Sequence, residues 1–241
     1  MVAPDWDALF GFDDRHVVTV SEHACLRATK LHPDVVPALE ELRSRAAIAG
    51  FDLRVLSGFR SFDRQRRIWN AKADGERVVL DAEEQPVDVG TMEPMECVRT
   101  ILCWSALPGL SRHHWGTDFD VVDAAAMPAG FEPSLTVAEW SATGPFAELG
   151  RWFDELELKG DFAGFFRPYD GYRCAVAREP WHLSLEHCAA VFQRELMLCD
   201  VRAVLDSKDI RHWGVISPAL EELIDQYANV RPATTVGAGR P

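Results

Sequence analysis

Apolar residues recur at helical spacing in successive stretches of the chain and alternate in short runs between them. After His32-Pro33-Asp34, residues Val35, Val36, Leu39, Leu42, Ala46 and Ala47 repeat every three or four positions, which predicts a helix that Gly50 closes. Phe51–Leu56 alternates and predicts a strand. Ser57-Gly58-Phe59-Arg60-Ser61 reads as a turn into a second helix, over about 62–73, that carries Gln65, Ile68 and Trp69. Further helices are predicted over 93–106, 146–158, 187–199 and 217–227. Strands are expected at 17–20, 116–122, 172–177 and 181–185. Residues 1–31 otherwise read as an irregular opening, 74–90 as an insertion shaped like a small hairpin, and 229–241 as a disordered tail. Phe162–Pro168 is an aromatic run expected to pack over the core or a site. The order of elements predicts an α+β fold over residues 1–228, with helices packed on a small, mainly antiparallel sheet. Its core is expected within about 33–190.

Composition changes this picture little. A chain of 241 residues, 47% apolar and 26% charged, is long enough for one sizeable core. The net charge of −13 argues against nucleic acid as a partner, since that binding relies on basic surface, and it gives no help in docking to anionic lipid. Six cysteines occur without a Cys-x-x-Cys pair, so buried free thiols are expected rather than a disulfide framework. The first residues lack a basic segment followed by a long apolar one, and no run approaches the length of a membrane span, so a cytoplasmic location is the expectation.

Two short segments carry candidate chemistry. Ser111-Arg112-His113-His114-Trp115-Gly116-Thr117-Asp118-Phe119-Asp120 holds two histidines and two carboxylates, and Glu179-Pro180-Trp181-His182 places a glutamate three residues before another histidine. Two imidazoles and one carboxylate make a three-ligand Zn²⁺ site with a position left for water, and a nearby glutamate can handle its protons. His113, Asp120 and His182 are the expected ligands and Glu179 the base. Period-two geometry puts Asp118 and Asp120 on one strand face, so spacing leaves open which of them binds metal. An iron facial triad is the rival reading, but neither His113 nor His114 opens its usual His-x-Asp/Glu pattern. The remaining histidines read as structural. Arg60, taken alone, reads as a surface charge at a strand-to-helix edge.

These residues resemble a known family, the VanY-type zinc D-alanyl-D-alanine carboxypeptidases and dipeptidases (LAS metallopeptidases). That family carries Ser-x-His-x-x-Gly-x-Ala-x-Asp followed by Glu-x-Trp-His. Ser111, His113, Gly116 and Asp120 are in register with the first motif, and Glu179, Trp181 and His182 with the second. An upstream Ser-Gly-Tyr/Phe-Arg-Ser with a nearby glutamine matches Ser57–Ser61 and Gln65, so the resemblance spans about residues 33–190. One position departs: Asp118 stands where the family usually has alanine.

The resemblance implies that His113, Asp120 and His182 hold Zn²⁺ in a cleft, that Glu179 is the catalytic base, and that Arg60 stabilises the oxyanion. It makes Ser111, Gln65, Trp181 and Asp118 candidate substrate contacts. Ser111 could equally shape the motif by a hydrogen bond, Trp181 is expected beside His182 as a pocket wall, and Asp118 could instead bond within the fold. The implied substrate is a peptidoglycan-derived peptide ending in D-Ala-D-Ala. Cytosolic precursors or recycled muropeptides would suit the expected location. Two other functions fit the same motifs: a zinc-binding module without catalysis, and an endopeptidase that cuts a different bond. Retention of both Glu179 and Arg60 favours the enzyme.

Overall fold

The computed structural model describes residues 5–230. Helix α1 (Trp6–Phe10) opens them, with Asp5 accepting from the Ala8 amide and Gly11 closing the turn at φ +72°. This helix lies where an irregular opening was expected, because a single capped turn is too short to show a period. Strands β1 (Val18–Thr19) and β2 (Lys30–Leu31) pair antiparallel. Helix α2 (Val35–Ile48) buries Val35, Leu39, Leu42 and Ala46, and Gly50 follows it at φ +96°. Strand β3 (Leu53–Ser57) and helix α3 (Phe62–Ala73) come next, with Ser61 capping α3 through its hydroxyl. The expected hairpin in 74–90 is formed by β4 (Val79–Leu80) and β5 (Pro86–Val87). Helix α4 (Pro94–Leu102) has proline in its first turn and ends before the predicted Ala106.

The centre of the fold is β6 (Asp118–Asp123), every residue of which is buried. Helix α5 (Ala147–Lys159), β7 (Phe165–Phe166), β8 (His182–Leu185), α6 (Glu186–Leu198), α7 (Val201–Leu205) and α8 (Trp213–Leu223) complete the order. A π-helical turn at Ile224–Ala228 extends α8. The main sheet has the order β3-β6-β8-β7 with antiparallel neighbours throughout, and the fold is α+β. Residues 231–241 of the expected tail lie outside the described residues. Val230, just before them, is buried beside Tyr169 and Val176.

Alternation on the sheet sorts structure from chemistry. Phe119 and Val121 of β6 pack with Leu53, Val55, Leu183 and Leu185 into a core that α2 and α5 cover. The alternate residues Asp118, Asp120, His182 and Ser184 therefore share the other face. The register sets Asp120 opposite His182 and Asp118 opposite Ser184. A second core, from α1, α3, α4, α6, α7 and α8, includes Phe10, Trp69, Trp115 and Phe192.

The expected strand at 172–177 does not form. Gly171 has φ +88°, and the Asp170 carboxylate accepts from the Tyr172 and Arg173 amides, which bends the chain. The amides of Ala175 and Ala177 donate to Gln226 and Cys103 carbonyls instead of to a sheet. Phe162 and Phe165 pack into the α2/α5 core.

Candidate metal centre

His113 sits on a single 3₁₀ turn, Arg112–Trp115, that leads into β6. Gly116 ends the turn at φ +68°, and a Cβ there would lie 2.8 Å from the His32 amide nitrogen and against Val17. Only glycine suits both the conformation and the space. The His113 Nδ1–H donates to the Gly58 carbonyl at 2.9 Å, which fixes the tautomer and leaves Nε2 as a lone pair facing Asp120 Oδ2 at 3.5 Å. The His182 Nε2–H donates to Asp118 Oδ1 at 3.2 Å. Its Nδ1 lies 3.2 Å from Asp120 Oδ1 and 3.3 Å from Glu179 Oε2, in a geometry that makes a hydrogen bond with neither.

Ligand atoms of His113, Asp120 and His182 all lie within 4.8 Å of one another, and all three residues are buried. Nε2 of His113, Nδ1 of His182 and the Asp120 carboxylate thus face a common point. A buried arrangement of this kind calls for a cation. The donor set, two imidazoles and one carboxylate, suits Zn²⁺.

The electrostatics agree. Burial, with Arg60 and His182 nearby, pushes His113 down to about 3 against the pull of Asp120, so it is neutral and available as a ligand. Burial disfavours the imidazolium of His182, but Asp118, Asp120 and Glu179 outweigh it and raise His182 well above its usual range. In the metal-free chain the positive charge that these carboxylates demand is a proton on His182. Burial and the neighbouring Asp120 raise Glu179 above the usual glutamate range, which favours a group that must accept a proton.

The three ligands border a cavity of about 250 Å³ that Arg60, Ser111, Tyr169, Glu179 and Trp181 also line. Arg60 is held from three sides. Its amide donates to the His113 carbonyl at 3.0 Å, its carbonyl accepts from His114 Nδ1 at 2.6 Å, and its Nη1 donates to Gln65 Oε1 at 2.8 Å. Its buried Nε has no partner among the described residues. His114 also accepts the Gly109 amide at 3.1 Å, so it is a neutral strut behind Arg60.

Two expected substrate contacts are corrected. Gln65 is fully buried, does not line the cavity, and donates to the Ala106 carbonyl at 2.6 Å while accepting from Arg60. It braces Arg60. Asp118 is fully buried behind His182, where Arg112 Nε donates to it at 2.7 Å and Thr117 Oγ1 at 2.6 Å. Arg112 and His182 hold its carboxyl below the usual range in spite of burial. It therefore orients His182 and cannot reach a ligand in the cavity.

Lys72 is a cavity residue that the sequence reading passed over. Its Nζ donates to Ser105 Oγ at 2.6 Å, and no carboxylate pairs with it among the described residues. Burial, with Arg77 and Arg60 nearby, pushes it down to about 8. A signal existed: Lys72 follows Gln65 by seven positions, two turns along the same face of α3.

Residues 28–186 match the VanY family, described as D-alanyl-D-alanine carboxypeptidase. The chain belongs to that family. Two uncharacterized proteins of Haemophilus influenzae are similar to this chain. One is 40% identical over 77 residues, covering 32% of this chain and 53% of that protein. The other is 38% identical over 128 residues, covering 53% of this chain and 95% of that one. The chain thus spans about half the length of the first of these relatives. Among solved structures, VanYB in complex with D-Alanine-D-Alanine superposes with a TM-score of 0.50 at 19% identity, covering 82% of this chain and 91% of that one. This likeness shows that the fold is that of VanY.

Proposed function

We propose that the chain is a zinc-dependent D,D-carboxypeptidase or dipeptidase acting on cell-wall peptides that end in D-Ala-D-Ala. The observation that carries this reading is the convergence of His113, Asp120 and His182 beside the carboxylate of Glu179. These three residues would hold Zn²⁺, which when bound supplies Lewis acidity that acidifies water and polarises a carbonyl.

Glu179 takes a proton from water as the water oxygen bonds to the carbonyl carbon of the scissile amide. When the C–N bond breaks, Glu179 returns that proton to the leaving amine, giving D-alanine and a shortened peptide. Arg60, charged and fixed by Gln65 and His114, directs its unpartnered Nε–H at the oxygen on which negative charge develops. Lys72, presented by Ser105, offers a cation for the terminal carboxylate of the peptide. Ser111 and Trp181 line the cavity and limit the pose of the substrate. An acceptor for a terminal carboxylate favours an exopeptidase over an endopeptidase. Retention of both Glu179 and Arg60 favours catalysis over a binding module.

The test is product identification by mass spectrometry on a panel of muropeptides incubated with zinc-loaded protein. Release of D-alanine from D-Ala-D-Ala-ended peptides is expected. Glu179→Ala should keep its metal and lose turnover by about 10²–10⁴-fold. Internal cleavage alone would replace the carboxypeptidase with an endopeptidase, and unimpaired turnover in Glu179→Ala would remove Glu179 as the base.

A further inference from the structure

We propose that His32, Asp34, His187 and Cys188 form a second divalent-metal site, separate from the first, that joins the start of α2 to the start of α6. Cys188 Sγ lies 3.7 Å from Asp34 Oδ2 and 3.3 Å from His187 Nε2, and His32 Nδ1 lies 3.9 Å from Asp34 Oδ2. Ligand atoms of His32, Asp34 and Cys188 all fall within 4.8 Å of one another. Bonds of about 2.0–2.3 Å from zinc to nitrogen, oxygen and sulfur place neighbouring ligand atoms about 3.3–3.8 Å apart in a tetrahedron. The distances from Cys188 to Asp34 and to His187 fall in that range, and that from His32 to Asp34 lies just beyond it. They are similar to the spacing at the first centre, where His113 and Asp120 are 3.5 Å apart and His182 and Asp120 3.2 Å.

Asp34 and Cys188 face one another, and His32 Nδ1, beside them, also accepts the Asp34 amide at 3.3 Å. Asp34 occupies the position that caps α2, yet its carboxylate makes no capping bond to that helix and turns to Cys188. Asp34 has helical dihedrals (φ −69°, ψ −20°), so its carboxylate is not aimed at the helix amides and lies beside the Cys188 thiol, a weak donor. A metal shared with Cys188 fits this orientation. The His32 amide is tied to the Gly116 carbonyl at 2.8 Å, and its ring packs edge-on against Phe192 of α6, so the backbone holds His32 over the cluster. Burial and Asp34 keep the metal-free Cys188 thiol up to about 12, and a coordinated divalent ion reverses that balance by binding the thiolate. One thiolate, two imidazoles and one carboxylate favour zinc, or another borderline-soft transition ion, over magnesium or calcium. None of the four residues lines the substrate cavity, and a site between two helix starts acts as a structural clasp.

Cobalt(II) reports on this site separately from the first, because the first has no sulfur ligand. The full-length chain loaded with cobalt(II) should show a sulfur-to-cobalt charge-transfer band in the near ultraviolet. The band should persist in His113→Ala and disappear in Cys188→Ser. Zinc content should fall by one equivalent in either variant. His187→Ala and Asp34→Asn change exposed residues and should fold normally, each weakening cobalt binding at this site by at least tenfold. A band that survives Cys188→Ser, or zinc content and cobalt affinity unchanged by Cys188→Ser, His187→Ala and Asp34→Asn, overturns the second site. Loss of metal in His113→Ala alone would leave the first centre standing without it.

Discussion

Asp118 places a charge on a fully buried strand face, and Arg112, six residues earlier, balances it at 2.7 Å. The same guanidinium donates to Ser184 and Gln193, so removal of the carboxylate leaves a buried cation without its counter-charge. Asp118→Ala should destabilise the protein by about 3–5 kcal/mol. Arg112→Met combined with Asp118→Ala should recover most of that loss, since an apolar pair avoids the desolvation of two charges. Urea titrations of the single and double variants check both outcomes. Lys72 leads to a prediction in pH. Its ammonium faces Arg60, Arg77 and Glu179 and titrates at about 8, so it is charged below that pH and neutral above it. A carboxylate bound by Lys72 is therefore lost as pH rises, and KM should increase through about pH 8. Lys72→Ala should raise KM about tenfold at pH 7, as one charge-assisted hydrogen bond is lost, and should abolish this alkaline limb. Steady-state kinetics across pH 6–10 at fixed zinc would show both.

At the scale of elements, the turn before β6 is the part that tolerates least. Gly116→Ala would force a side chain into a left-handed backbone position against Val17 and the His32 amide. A loss of about 1–3 kcal/mol in thermal or urea unfolding is expected. Zinc affinity at the first centre should weaken as well, because His113 rides on that turn. The segments that position the site were largely legible in the sequence. Helix α3 forms over the predicted 62–73, and the alternation of β6 and β8 brought Asp120 and His182 to one face. Spacing alone did not separate Asp118 from Asp120, because period two treats them alike, and only register with the family motif pointed to Asp120. The choice is decided by Arg112 and by the cross-strand pairing of Asp118 with Ser184, both long-range facts. The missing strand at 172–177 failed for a related reason: after Gly171 bends the chain, the Ala175 and Ala177 amides donate to the carbonyls of Gln226 and Cys103 near the ends of two helices. Gln65 was visible as a motif residue, but its partner was not. Its position five residues after Arg60 allows a brace as readily as a substrate contact.

For the whole molecule, the proposed metal binding would be linked to folding. Both ligand clusters draw on distant parts of the chain, the first from a turn and two strands of the main sheet and the second from the starts of α2 and α6. A ligand that binds only the folded state stabilises it by mass action, about 2.7 kcal/mol at a free concentration one hundred times its Kd. Removing metal with a chelator should therefore lower the unfolding temperature by several degrees, and readdition of zinc should restore it. No helix among the described residues is long and apolar enough to cross a membrane. Although the net charge is −13, the cavity is lined by the cations Arg60 and Lys72. The account as a whole stands on one ion bound by His113, Asp120 and His182. The most direct measurement is the zinc X-ray absorption spectrum of Cys188→Ser protein, which removes the only sulfur proposed as a ligand. A first shell of nitrogen and oxygen with the outer scattering of two imidazoles is the predicted result. Bound zinc with no imidazole scattering, or a chain that retains no zinc, would contradict it.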